Sequence, residues 1–361
     1  MVNRHAVTGV VAVALAMTAA APAHAADRVR LLGERTLPNA MDFQGTTVGG
    51  LSGIDYDPRT GAYVLISDDR SERQPARGYL ADIPVTADGL GPVSLAATRP
   101  LLRPDGTTYP AGSLDPEDVR WDPRSGEVWW TSEGERQEGL VDPSIRSAAL
   151  DGSATGELPL PPNLAMRPDS GPKQNEALEG LTFAADGSLL VSAMEGPLVQ
   201  DGESPTFEHG ALSRLTAQDR SGAIVAQVAY PLDKVFARSP TGGFANNGVT
   251  AILADGDDPF RYLVMERSFV DGVGNSVRIY EVDARGATDV RDVASLAGAD
   301  VTPVRKTPLA DLSELGLSTV DNVEGMTWGP VLPGGERSLV LVSDDNFSAQ
   351  QTTQVIALGV K

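Results

Sequence analysis

The chain has 361 residues, in which 49 Asp and Glu outnumber 29 Lys and Arg for a formal net charge of −20, and it contains no cysteine. So acidic a surface repels nucleic acid and anionic membranes, and neither is an expected partner. The lack of cysteine excludes disulfides, thiolate nucleophiles and zinc sites built from Cys.

The first 25 residues have the pattern of an export signal. Asn3, Arg4 and His5 form a short polar start, residues 7–21 an apolar run too short to span a bilayer, and Ala23-His24-Ala25 a small-residue cleavage site. Cleavage after Ala25 would leave one domain, residues 26–361, secreted or periplasmic and expected to be a monomer. No Cys follows the site to carry a lipid, and no later apolar run is long enough to suggest a membrane span. His209 is then the only imidazole, and no G-x-S-x-G elbow is present, which argues against Ser-His-Asp chemistry.

From Gly50 onward one pattern recurs five times. GLSGIDYD (50–57), DPEDVRWD (115–122), NEALEGLTF (175–183), NNGVTAIL (246–253) and DNVEGMTW (321–328) each open an alternating strand, with Ile54/Tyr56, Val119/Trp121, Leu181/Phe183, Val249/Ala251 and Met326/Trp328 on one face. Turns follow, among them the near-identical DPRTG (57–61) and DPRSG (122–126). A second strand then ends in an acid every time, at Asp68, Glu133, Glu195, Glu266 and Asp344, between 62 and 78 residues apart. Third and fourth strands can be assigned in each copy except the last, which runs out of chain after TQVIAL (353–358). Its missing fourth strand is expected from RVRLLGERTLP (28–38). Closing a ring of four-stranded antiparallel sheets through the two termini is the β-propeller solution to exposed sheet edges, so the expected fold is all-β, a propeller. Five blades are counted, and the long connections leave room for a sixth. One connection, LADLSELGL (309–317), has a partly helical pattern.

In such blades the start of the first strand and the end of the second lie at the same end of the sheet, and the first strand lines the channel. Glu117, Asp118, Glu179 and Glu324 should therefore converge with Asp68, Glu133, Glu195, Glu266 and Asp344 at one channel mouth. Carboxylates so crowded raise one another's pKa unless cations or arginines compensate. Calcium takes six to eight oxygens, and Asn175, Asn247, Asn322 and Asn346 stand beside the acids to supply neutral ones. Arg70 and Arg267, just after Asp69 and Glu266, could clamp an anionic substrate group or form structural ion pairs. The same acidic excess also serves solubility.

These residues resemble the phytase-like propeller family, exported bacterial proteins with esterase-like activity of phytase. The likeness rests on GLSGIDYD, PNLAMRPDSGPKQNEALEGLTF (162–183), VSAMEG (191–196), DNVEGMTW and LVSDDNF (341–347), and runs from about Leu51 to Phe347. It implies a secreted, calcium-dependent propeller acting on a small anionic or ester substrate, at ester or phosphoester bonds. True β-propeller phytases carry a D-D-P-A motif that DPEDVRW matches only loosely, and they use many lysines where this chain has Lys173, Lys234, Lys306 and Lys361. Phytate itself is therefore the less suited substrate. The Glu-Gly pair also resembles lactonase-type propellers, in which such a glutamate holds the catalytic metal. Two functions follow: a metal-assisted hydrolase using Glu179, Glu324, Arg70 and Arg267, or a noncatalytic propeller that binds a ligand or surface with structural calcium.

Overall fold

Strict alternation along the strands, with Gly and Pro at the reversals, folds this chain into five four-stranded antiparallel sheets. The structure is a computed structural model that describes residues 28–137 and 139–361, so the expected signal segment lies outside the described residues. Blade I consists of Leu51–Asp57, Ala62–Ser67, Arg77–Asp82 and Ser94–Pro100. Blade II consists of Pro116–Trp121, Val128–Ser132, Ser144–Ala148 and Ala154–Leu158. Blade III has Leu178–Ala184, Leu189–Met194, Ala211–Asp219 and Ile224–Leu232. Blade IV has Ala245–Ala254, Arg261–Val270, Gly274–Asp283 and Arg305–Asp311. Blade V takes Asn322–Val331, Arg337–Asp344 and Gln354–Val360 from the end of the chain and Val29–Thr36 from its beginning. The two terminal strands pair antiparallel from Val29 opposite Val360 to Thr36 opposite Gln354, closing a five-bladed propeller as the sequence pattern requires.

Local chemistry explains the reversals. In blade I, Asp57 accepts the backbone N–H of Arg59 at 3.0 Å while its carbonyl accepts Gly61 N–H at 2.8 Å, and Gly61 sits at φ 76°. Asp122 and Gly126 repeat the turn in blade II, with φ 77° at the glycine. The partly helical pattern at 309–317 is instead the end of an outer strand followed by one 3-10 turn, Leu312–Glu314, capped by Asp311 and followed by Gly316 at φ 76°. No helix of the described residues is long and apolar enough to cross a membrane.

The core lies between the blades. Val64 and Ile66 of blade I pack on Val119, Trp121 and Trp130 of blade II, and Leu51, Ile54 and Leu65 pack on Val340, Val342 and Val355 of blade V. Comparable layers join II to III, III to IV and IV to V. Burying one such aliphatic side chain contributes roughly 1.5–3 kcal/mol, so each blade is held mainly by its neighbours.

Two devices shape the channel. Near its start each first strand has a β-bulge, which takes Ser52, Glu117, Glu179, Thr250 and Glu324 out of the ladder. The residue after the bulge comes so close to the next blade that a Cβ on Gly180 would stand 2.7 Å from Ile252 N, and one on Gly53 2.7 Å from Glu117 O. That approach explains the Glu-Gly doublet: the glutamate projects and the glycine packs. Deeper in, the buried guanidinium of Arg120 crosses the channel, donating to the carbonyls of Ile54, Leu181 and Ile252 in three other blades.

Candidate metal and catalytic site at the channel mouth

Above Arg120 the channel opens into a cavity of about 850 Å³. Among the described residues nine carboxylates line it, Asp68, Asp115, Glu117, Glu133, Glu179, Glu195, Asp321, Glu324 and Asp344, with two cations, Arg70 and Arg267. Strand register places them. The second strand ends opposite the residue that precedes the first: Asp68 N–H bonds Gly50 O at 2.8 Å, Glu133 N–H bonds Asp115 O at 2.9 Å and Glu195 N–H bonds Ala177 O at 2.7 Å, while Asp344 pairs with Asn322. All four of those acids face the cavity, joined by the bulge residues Glu117, Glu179 and Glu324.

Blade IV differs. There the place opposite the preceding residue belongs to Arg267, which pairs with Gly248, and Glu266 lies one residue earlier, opposite Val249. A one-residue step turns a side chain to the other face of a strand, so Glu266 points away from the cavity. It accepts from the Tyr230 hydroxyl at 2.7 Å, Asn247 at 2.7 Å and the Asp233 N–H at 3.1 Å, and it pairs with Lys306. The expectation of Glu266 at the mouth is therefore corrected, and with it that of Asn247; Asn246 lines the cavity instead. Asp118 is corrected in the same way. It lies below the mouth, its oxygens accepting from Val119 N–H and Leu181 N–H at 2.8 Å each and from Arg120 at 2.8 Å. The aspartate pairs at the ends of the second strands of blades I and V divide likewise. Asp69 turns inward to Arg77 at 2.7 Å and to three backbone N–H groups, and Asp345 accepts Gly50 N–H at 3.0 Å.

Asp115 was not singled out from the sequence, yet it completes the ring. One oxygen each from Asp115, Glu117 and Glu133 lie within 4.8 Å of one another, and so do oxygens of Glu133, Glu179 and Glu195. Oxygens on opposite sides of a calcium ion stand up to about 5 Å apart at bond lengths of about 2.4 Å, so both groups have the spread of a cation site. Glu133 belongs to both, steadied by Ala177 N–H at 2.7 Å.

Electrostatics agree with that spread. Burial first, then the neighbouring carboxylates, pushes Asp68, Glu117, Glu133, Glu179 and Asp344 well above the usual range. Burial also raises Asp115 to about 7 and Glu195 to about 8, against the pull of Arg70 and of Arg267 respectively. Asp68 Oδ1 is buried with no hydrogen-bond partner among the described residues, and none of them donates to the carboxylates of Glu117 or Glu179. The unpartnered buried oxygen of Asp68 and the undonated carboxylates of Glu117 and Glu179 fit a divalent cation of the calcium type, with Asn175, Asn322 and Asn346 at hand as neutral ligands.

The two arginines are anchored at the rim. Arg70 donates to Glu135 at 2.7 Å and faces Asp115 at 3.6 Å, while Arg267 donates to Glu324 at 3.1 Å and faces Glu195 at 3.7 Å. His209 is exposed and lies beside the carbonyl of Gly210, outside the lining.

The profile of the phytase-like family, described as esterase-like activity of phytase, matches residues 46–347. No curated protein matches the sequence. Among solved structures, a glucose dehydrogenase aligns at 12% identity over 92% of this chain and 99% of its own, with a TM-score of 0.38. A thermostable family-43 glycoside hydrolase aligns at 11% identity over 87% of this chain and 93% of its own, TM-score 0.47. An α-L-arabinofuranosidase from Lactobacillus brevis aligns at 12% identity over 86% and 91%, TM-score 0.45. At such identities and scores these three say nothing about chemistry.

Proposed function

The chain belongs to the phytase-like family, and on that premise we propose that it is an exported, calcium-dependent hydrolase of ester or phosphoester bonds, working at the acidic mouth of the propeller. The observation that carries this reading is the imbalance of the cavity: nine carboxylates against two arginines, with two groups of oxygens at cation spacing that share Glu133. A bound divalent cation would supply Lewis-acid polarisation of the scissile carbonyl or phosphoryl group.

The protein's own groups do the rest. Asp115, Glu117, Glu133, Glu179 and Glu195 would hold the cation, with Asp68, Glu324 and Asp344 completing the ring. Arg70 and Arg267, held by Glu135 and by Glu324, are placed to neutralise negative charge that develops on the substrate. A carboxyl of the ring that no cation engages can hold or pass a proton near neutral pH. No histidine or cysteine is required.

Turnover of p-nitrophenyl acetate, p-nitrophenyl phosphate and a lactone panel, with and without chelator, tests the reading. Chelator-sensitive hydrolysis, abolished in Glu179→Gln and Glu324→Gln while the melting temperature persists, is expected. If calcium raises the melting temperature but no substrate turns over, the site is a binding site with structural calcium.

A further inference from the structure

The acidic cavity does not end at the ring. A second hollow of about 480 Å³ adjoins it and shares Arg70, Asn175, Phe244 and Asn246, so the two form one cleft running outward from the channel axis. Phe244 stands at this seam with 66% of its surface exposed, its ring 6.2 Å from that of Phe269 and inclined by 32°. A phenyl group so open, on the lip of a polar cleft, gives up the burial that a core position would provide. Asn175 is held at φ 49°, a conformation that costs energy for a residue with a side chain and that gathers at ligand sites.

The outer hollow mixes amides with charged acceptors: Gln137, Gln174, Asn175 and Asn246 stand beside the carboxylates of Glu72, Glu135 and Glu176. Arg70 is the only cation among the described residues of its lining, and that guanidinium is engaged by Glu135 at 2.7 Å. In the outer hollow a densely phosphorylated molecule would face three carboxylates, Glu72, Glu135 and Glu176, against the single guanidinium of Arg70. A ring carrying several hydroxyls suits the cleft better: its hydroxyls match the amides and carboxylates, and its C–H face matches the open phenyl.

We propose that Phe244, Asn175 and Asn246 form a subsite for a neutral polyhydroxylated ring, a sugar, which presents its ester group to the acidic ring. The proposal rests on the hydrolase reading of that ring and adds the class of substrate. Stacking on Phe244 and the amides at the seam would hold the sugar outside the ring and leave only the ester over the carboxylates.

Saturation-transfer NMR tests this on the calcium-loaded Glu179→Gln protein, where the ligand is not consumed, with a mixture of monoacetylated glucose, mannose and galactose. Saturation of sugar ring protons is expected, weakened about fivefold when Phe244→Ala is added, as loss of one aromatic contact would do. A second double variant, with Asn175→Ala, should weaken it as well, and inositol hexakisphosphate should not displace the sugars. The proposal is overturned if none of the three sugars receives saturation, if the signal survives Phe244→Ala, or if the hexakisphosphate displaces them. Failure of the hydrolase reading would look different: sugar binding lost in Phe244→Ala, with no acetate released from the same mixture by the unsubstituted protein.

Discussion

Two sets of buried carboxylates lie a few residues apart along the same channel, and they are built in opposite ways. Below the mouth, Asp55 and Asp118 flank Arg120, and every oxygen has a partner: Asp55 accepts from Thr327 at 2.6 Å and from Trp121 N–H at 2.8 Å, and Asp118 from Arg120 and two backbone N–H groups. At the mouth, nine carboxylates share two arginines, and one oxygen of Asp68 is buried with no partner among the described residues. A fold closes its own buried charges when they serve only the fold. The difference marks the lower set as structural and the upper set as capacity held for something the chain does not itself supply.

The largest effect should come from breaking the closed set. Arg120→Met would leave Asp118 and three carbonyls without their donor, and removal of one partner of a buried pair costs about 3–5 kcal/mol. Urea unfolding should show that loss; a variant as stable as the parent would mean that the channel is not held together at Arg120. Next comes the open set. Glu133→Gln removes the charge of the residue common to both groups and should weaken calcium binding by about a hundredfold or more, as loss of a charged ligand does. Metal-free stability should not fall, because a like charge is relieved, and calorimetry with thermal melts would read both.

The pH response of the metal-free protein sharpens the contrast further. Asp115 and Glu195 keep their protons up to about 7 and about 8 in the folded chain, whereas unfolded carboxyls lose theirs near 4. Between those limits the folded state binds more protons than the unfolded one, so stability is fullest below about pH 4 for these groups and declines as pH rises to about 8. Melting temperatures of chelated protein should fall across that window and recover with calcium; a rise would reverse the assigned sign. The smallest effect is expected at Glu266. Glu266→Gln should change calcium affinity less than about twofold, since that carboxylate belongs with Lys306, Tyr230 and Asn247 rather than with the cavity.

The sequence made the blades legible because their signals are local: alternation, Asp-Pro-x-x-Gly turns, and an N-terminal strand with the spacing of a missing fourth strand. It also brought out most of the ring, since an acid after an apolar strand repeats in four blades. The slip at Glu266 arose where two neighbouring polar residues, Glu266 and Arg267, both followed an apolar run, and only the position of the bulge at Thr250 decides which one faces the axis. Asp118 departs for a different reason: Asp115 and Glu117, two residues apart, share the cavity, while Asp118, one residue on, turns to Arg120. Bulges add one residue to the count and leave no mark in residue type, except where a glycine such as Gly53 or Gly180 must follow for lack of room. A search for those glycines is the signal that would have fixed the register in blades I and III; blade IV has alanine there.

Calcium titration of chelator-treated protein at pH 8, run in two buffers of different ionisation enthalpy, tests the open ring most directly. If its carboxylates are held for cations, binding should be accompanied by proton release, and both should be lost together in Glu133→Gln. Absence of binding at millimolar calcium, or binding that survives Glu133→Gln unchanged, would contradict a cation site at the mouth of the propeller.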